Sequence, residues 1–131
     1  MATVPYLTDD TAPPATRAVF DDIRAKRNTD YVNNFWRHLG NDPALLQAVW
    51  DRLQQVMAPG ALDPLVKEMV YVAVSVANGC DYCIASHTAA ARAKGMSPAQ
   101  HAELLAVIAM ASQTNALAKA LAVEVDDRFK L

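Results

Sequence analysis

Helix-start signals constrain the fold of this chain more than any other feature of its sequence. The signals stand at Thr11 before Pro13-Pro14, at Asp42-Pro43, at Asp63-Pro64 and at Ser97-Pro98. A side-chain oxygen at an N-cap accepts a hydrogen bond from a free backbone N–H, and proline suits the first turn because the N–H that it lacks has no partner there. No stretch alternates apolar and polar residues convincingly enough for a strand. The sequence therefore predicts an all-α fold of about six helices with no sheet.

The predicted helices are joined by short turns. They run from Thr11 to about Arg27, from Val32 to Gly40, from Asp42 to Pro59, from Asp63 to about Asn78, from Cys80 to Lys94-Gly95 and from Ser97 towards Phe129. Apolar spacing predicts buried faces at Val19, Phe20 and Ile23 and at Leu46, Val49, Leu53 and Val56. The helix from Asp63 is apolar on most sides and is predicted to be the most buried, with Gly79 ending it in a left-handed cap. The polar segment 112–115 is predicted to kink or divide the last helix.

Length and composition favour a single domain, 1–131, because 53% of the residues are hydrophobic and can form one core. The formal net charge is −2, so the basic field on which nucleic-acid binding relies is missing. Residues 1–10 lack the pattern of a signal peptide, and the longest apolar stretch, 69–77, is too short for a membrane span of about 20 residues. We therefore expect a cytoplasmic protein without nucleic-acid or membrane partners.

The two cysteines, Cys80 and Cys83, are the strongest candidates for chemistry. A disulfide that closes so short a loop stabilises a fold only weakly. In a cytoplasmic protein the C-x-x-C motif therefore indicates redox or metal chemistry. Cys80 and Cys83 stand at a predicted helix start with His87 one turn later, so the three side chains share one face. The helix N-terminus can stabilise a thiolate, and the imidazole can accept the thiol proton.

Glu68 is the remaining candidate, because it lies on the preceding, strongly apolar helix. A partly buried carboxylate beside His87 or a cysteine is expected to have a raised pKa and to act as the base of a proton relay. The alternative interpretation is a solvated or salt-bridged surface residue, because Glu68 also belongs to a polar stripe. The other members of that stripe are Lys67, Tyr71, Ser75 and Asn78.

Glu68, Cys80, Cys83 and His87 form the pattern E-x(11)-C-x-x-C-x-x-x-H. This pattern resembles the signature of the alkyl hydroperoxidase D-like branch of the carboxymuconolactone decarboxylase superfamily. The resemblance is strong over residues 62–95 and looser over 19–58. It implies an all-helical fold assembled as a trimer or as a trimer of dimers, which is a hexamer, with the cysteine site near subunit contacts. A homo-oligomer is also predicted without the resemblance, because the apolar helices leave more apolar surface than a single chain of this length can cover.

The resemblance also implies roles for these residues. Cys83 attacks a peroxide, Cys80 resolves the product to a disulfide, and Glu68 and His87 relay protons. The activity implied is that of an alkyl hydroperoxide reductase, a peroxiredoxin-like antioxidant enzyme without a bound cofactor. Its partners are a peroxide or small disulfide substrate and a lipoyl- or thioredoxin-like thiol donor. Helix polarity alone favours Cys80 as the thiolate, so which cysteine attacks stays open.

Some features leave other functions open. Tyr82 stands where the best-studied relatives carry a histidine between the cysteines, which predicts slow peroxidase turnover or a different substrate. Decarboxylation of a cyclic lactone acid is one alternative, although it needs no dithiol. A zinc site formed by Cys80, Cys83, His87 and Glu68 is another, and a non-catalytic oligomeric module is a third. His38 and His101 are predicted to be surface or structural residues.

Overall fold

The computed structural model of the protein describes residues 1–130. Its α-helices are Pro14–Arg27 (α1), Asn34–Leu39 (α2), Pro43–Met57 (α3), Pro64–Ala77 (α4), Asp81–Ala93 (α5) and Pro98–Ala120 (α6). A short 3-10 turn follows at Asp127–Phe129, and residues 1–130 contain no strand. The predicted all-α fold class is confirmed. The chain forms two compact units, the first ending at Ala58 and the second beginning at Pro59, so the single domain 1–131 stays a prediction.

Three of the four predicted helix starts carry the expected cap. Asp42 accepts a hydrogen bond from the backbone N–H of Leu45, and Asp63 accepts one from Leu65. Ser97 and Gln100 form a reciprocal capping box. Thr11 does not cap α1; its hydroxyl lies 3.0 Å from that of Thr8, and the helix begins after Pro13 without a side-chain cap.

The first unit packs α1, α2 and α3 around one apolar core. Its fully buried side chains include Phe20, Ile23, Val32 and Leu46. The predicted faces of α1 and α3 are correct except at Val56, which is 47% exposed. The side chains of α3 that pack against this core reach only as far as Leu53, so the last turn of α3 extends beyond it.

The second unit contains α4, α5 and α6, with α4 packed against both other helices. α4 buries Glu68, Val72 and Ser75. Val66, Val70 and Val74, which follow one another at one-turn intervals, are exposed. The prediction that α4 is the most buried helix is therefore wrong for the single chain, because α5 and α6 leave this apolar face uncovered.

α6 continues unbroken through the segment that was predicted to kink or divide it. The Ser112 hydroxyl donates to the Ile108 carbonyl oxygen at 2.8 Å, and the Thr114 hydroxyl donates to the Met110 carbonyl oxygen at 3.1 Å. These polar side chains bond to the preceding turn of their own helix, so they do not interrupt it. Within residues 1–130, none of the helices combines the length and apolar character that a membrane span requires.

Candidate functional site

A tight reversal between α4 and α5 positions the cysteine motif. Gly79 has φ +67°, in the left-handed region that favours glycine, as predicted. The backbone N–H of Cys80 then donates to the Ser75 carbonyl oxygen at 3.0 Å, which closes the end of α4. Cys80 is thereby both the end of this turn and the N-cap of α5.

Cys80 and Cys83 form a disulfide in this structure, with their Cα atoms 5.3 Å apart. Both residues are half-buried. The backbone N–H of Cys83 points at the Cys80 sulfur, 3.3 Å away. The first turn of α5 therefore places the two sulfurs within bonding reach and directs a backbone donor at one of them.

Glu68 and His87 meet across the contact between α4 and α5. The His87 Nδ1 atom lies 2.7 Å from Oε2 of Glu68. Glu68 is only 4% exposed, so its interpretation as a solvated or salt-bridged surface residue is wrong about the surface position, although the side chain is salt-bridged. The structure brings together the two residues that were predicted to interact, through the packing of the two helices that carry them.

Lys94 is part of this cluster, although it lies outside the sequence motif. Its ammonium group lies 2.8 Å from Oε1 of Glu68. Lys94 is the C-cap residue of α5 and follows His87 by two helix turns. That spacing places Lys94 and His87 on one face of α5, and it is the signal that could have identified Lys94.

Two opposing effects act on the pKa of Glu68. Burial of the carboxyl group raises the pKa, whereas the hydrogen bonds and positive charges of His87 and Lys94 lower it. The net result is a pKa below the ordinary value, so the prediction of a raised pKa is wrong. The physical reason is that the hydrogen bond from His87, together with the hydrogen bond and charge of Lys94, outweighs the penalty of burial. Glu68 is therefore a carboxylate at neutral pH, which can only accept a hydrogen bond, and Nδ1 of His87 must donate it.

Tyr71 stacks on the imidazole of His87. The two ring centroids are 3.5 Å apart and the ring planes differ by 17°. Tyr71 follows Glu68 by three positions on α4, so the same helix face supplies both the acceptor and the stacking ring. Together they fix the position of Nδ1 and the plane of the ring, and Nε2 is the ring nitrogen that Glu68 does not engage.

A model of the carboxymuconolactone decarboxylase family matches residues 43–124 of the chain. The chain belongs to this family. The crystal structure of an alkylhydroperoxidase AhpD core from Rhodospirillum rubrum matches the fold with a TM-score of 0.95 and 60% sequence identity, over 98% of this chain and 97% of that one. These findings confirm the resemblance to the alkyl hydroperoxidase D-like branch of the carboxymuconolactone decarboxylase superfamily.

Two further relatives match shorter parts of this chain. An alkyl hydroperoxide reductase AhpD from Solibacter usitatus is 40% identical over 99 residues, which are 72% of this chain and 54% of that protein. The chain thus spans about half the length of that relative. An uncharacterized protein from Cupriavidus necator is 35% identical over 77 residues, which are 58% of this chain and 68% of that protein.

Other candidate residues of this family member lie outside the Glu68–His87–Lys94 cluster. Tyr82, between the cysteines, is 42% exposed. In the first unit, Nδ1 of His38 lies 3.1 Å from the Val4 carbonyl oxygen. His101 is half-buried on α6. Among the described residues, no group of three or more histidine, cysteine, aspartate or glutamate side chains is arranged to hold a metal ion.

Proposed function

We propose that this chain is a thiol-dependent peroxidase of antioxidant defence, with Cys80 and Cys83 as its redox pair. The observation that carries the proposal is the disulfide in the first turn of α5, one turn before His87. The names of two relatives, alkyl hydroperoxide reductase and alkylhydroperoxidase, support this class of reaction. The same dithiol chemistry also supports reduction of a small disulfide.

The reaction begins with the reduced pair. The Cys83 thiolate attacks the terminal oxygen of a hydroperoxide, an S–O bond forms, the O–O bond breaks, and the alkoxide leaves as an alcohol after taking a proton. The sulfenic acid on Cys83 is then attacked by the Cys80 thiolate, which forms the disulfide and releases water. The peroxide is reduced by two electrons and the dithiol is oxidised by two electrons.

His87 supplies the proton movements in this scheme. Its Nδ1 atom is engaged by Glu68, so Nε2 accepts the thiol proton and returns it to the leaving alkoxide. The Glu68 carboxylate stabilises the imidazolium formed between these steps. Tyr71 holds the ring plane through the stack.

The attacking cysteine is assigned to Cys83 because His87 follows it by one helix turn and because the family resemblance favours it. One contact supports the opposite assignment, since Cys80 is the sulfur that receives the backbone N–H of Cys83. A donor of this kind stabilises a thiolate, which also suits a resolving or leaving sulfur. Variants that keep one cysteine each distinguish the two roles.

Regeneration of the dithiol needs an external thiol. We propose a lipoyl- or thioredoxin-like donor, which attacks the disulfide and leaves with both of its own sulfurs oxidised. A redox pair that must be reduced after every cycle suits the reducing cytoplasm, and we propose that the protein acts there.

The test is the mass of the native reduced protein before and after one equivalent of hydroperoxide. The proposal requires loss of the mass of the thiol hydrogens, formation of one molecule of alcohol per chain, and no crosslink between chains. Unchanged thiols with intact peroxide would refute it and leave decarboxylation of a cyclic lactone acid or a non-catalytic oligomeric module. Zinc retained by the reduced pair would instead favour the metal site.

A further inference from the structure

Each oxygen of Glu68 accepts a hydrogen bond from a different basic side chain. Oε2 accepts from Nδ1 of His87 at 2.7 Å, and Oε1 accepts from Nζ of Lys94 at 2.8 Å. The Glu68 side chain is 6% exposed, whereas that of Lys94 is 40% exposed. The lysine therefore brings a partly hydrated charge to a carboxylate that has almost no contact with water.

We propose that Lys94 is a positioning residue of the redox site: its ion pair holds the Glu68 carboxylate, so that the Nδ1 proton of His87 stays directed at Glu68. This inference rests on the proposed function, because it assigns Lys94 a role in activating the thiol. Lys94 acts through Glu68 and has no contact with the cysteines in this scheme.

The end of α5 holds Lys94 in place. Its backbone N–H donates to the carbonyl oxygens of Ala90 and Ala91, both at 3.1 Å. Gly95 follows with φ +97°, and Met96 donates to the Ala91 carbonyl oxygen at 3.0 Å while its own side chain is buried. The lysine stem therefore starts from an anchored turn, two turns beyond His87 on the same face of α5.

Within residues 1–130, two basic side chains lower the pKa of this carboxylate. On α5 the groups that contact Glu68 are His87 and Lys94, and they supply the hydrogen bonds and charges that lower its pKa. Among the described residues of α6, His101, Glu103 and Lys119 form no hydrogen bond or ion pair with it. Without Lys94, the burial that raises the pKa of Glu68 meets only the opposing effect of His87.

The pH dependence follows from the sign of that change. A lowered pKa keeps Glu68 ionised through mildly acidic pH in the native protein. In Lys94→Met the pKa rises, so Glu68 becomes protonated at a higher pH as the solution is acidified. A neutral Glu68 no longer stabilises the imidazolium, and the thiol keeps its proton.

The experiment measures the rate of iodoacetamide alkylation of the reduced, full-length protein against pH. In Lys94→Met the acidic limb of the profile should move to higher pH, and alkylation in that range should slow about tenfold for each pH unit that the limb moves. Rates should converge at alkaline pH. Lys94→Arg should keep the native profile. Arg92→Met, which removes an exposed cation from the same turn of α5, is the matched control and should also keep it.

A double-mutant cycle separates the positioning role from simple attraction between Lys94 and a thiolate. The alkylation rates of Glu68→Gln and of Glu68→Gln/Lys94→Met should agree at each pH, because Lys94 has no carboxylate to hold in the Glu68→Gln background. Equal losses from Lys94→Met in both backgrounds, or a parallel loss at every pH, would overturn the proposal.

Nitrogen-15 NMR of His87 gives a second readout in any folded variant. The Nδ1–H tautomer should dominate in the native protein and should be depleted in Lys94→Met at mildly acidic pH, and an unchanged spectrum would overturn the proposal. None of these measurements uses a peroxide. Absence of peroxide reduction by the native protein would therefore refute the proposed function separately from the role of Lys94.

Discussion

At the scale of single residues, the site is organised by one buried carboxylate whose charge is compensated. Glu68 is 4% exposed, yet its pKa lies below the ordinary value because His87 and Lys94 outweigh the effect of burial. A buried acid of this kind orients and stabilises a neighbouring base. In the reaction that we propose, His87 therefore takes up the thiol proton, and Glu68 stabilises the charge that results.

Removal of each cysteine should stop the reaction at a different step. Cys83→Ser should show no burst of alcohol on mixing with hydroperoxide, because the attacking thiol is absent. Cys80→Ser should give a single burst and then retain a sulfenic acid, because nothing resolves it. Rapid-quench measurement of alcohol, with dimedone trapping of the sulfenic acid, checks both. A burst that persists in Cys83→Ser would exchange the two roles.

Glu68→Gln should change both reactivity and the pH dependence of stability. Loss of the carboxylate should slow neutral-pH alkylation on the order of 10²-fold, the usual scale of general-base assistance, because His87 then lacks the anion that stabilises its imidazolium. Because the folded pKa lies below the ordinary value of 4.5, the ion pairs stabilise the protein above that pH and lose this effect as the pH falls through the folded pKa. The native protein should therefore exceed Glu68→Gln in stability at neutral pH.

Urea unfolding of both proteins over a range of pH measures this difference. The gap in the free energy of unfolding should narrow on acidification below the ordinary pKa of 4.5. Glu103→Gln, which removes an exposed carboxylate of α6, is the control. The difference in free energy of unfolding between this variant and the native protein should not narrow in the same way on acidification. A gap that stays constant with pH would contradict the assigned ion pairs.

At the scale of secondary-structure elements, the turn between α4 and α5 determines where the sulfurs lie. Gly79 adopts φ +67°, and among the described residues other than its two chain neighbours, none has an atom within 4 Å of the position that an added Cβ would occupy. A larger residue at position 79 would therefore be destabilised by the left-handed backbone conformation and not by a steric clash of its side chain. The turn also directs the Cys80 N–H to Ser75, which sets the start of α5.

Gly79→Ala should therefore destabilise the protein by about 1–2 kcal/mol, the cost of a left-handed conformation for a residue with a Cβ. Gly79→Asn should cost less, because asparagine tolerates this region better. Equilibrium urea unfolding gives both values. Equal stability of Gly79→Ala and the native protein would mean that the turn relaxes, and the cysteine reactivity would then show whether the sulfurs have moved.

At the scale of the whole molecule, many large apolar side chains lie exposed on the described chain. Val66, Val70 and Val74 of α4 lie in one exposed row, and α6 has no buried residue. We propose that copies of the chain cover these surfaces in a homo-oligomer, either a trimer or a hexamer, as the family resemblance implies.

Val70→Lys/Val74→Lys should therefore reduce the oligomeric state, because two charges would be buried in a subunit contact. Light scattering at micromolar concentration should show a trimer or hexamer for the native protein and a smaller species for the variant. Arg92→Met, outside this row, should assemble normally. A monodisperse native monomer would contradict the predicted assembly.

The amino-acid sequence by itself determined the features that depend on neighbouring residues. The caps at Asp42, Asp63 and Ser97 bind N–H groups within three positions, and the Gly79 conformation belongs to a single residue. The approach of Cys80 to Cys83 spans only the first turn of a helix. Local hydrogen bonds and backbone preferences encode these features, so a pattern of residues was sufficient to predict them.

Only the tertiary structure decided which groups surround Glu68. His87 and Lys94 are 19 and 26 positions from it, and Tyr71 reaches His87 only through the packing of α4 on α5. The direction of the shift in the Glu68 pKa depends on that packing, because burial raises the pKa and the two basic side chains lower it. The spacing of residues along the chain does not show which effect is larger. The exposure of α4 was also decided by the tertiary structure. Apolar periodicity shows which helix faces are apolar, but it does not show whether another part of the same chain covers them.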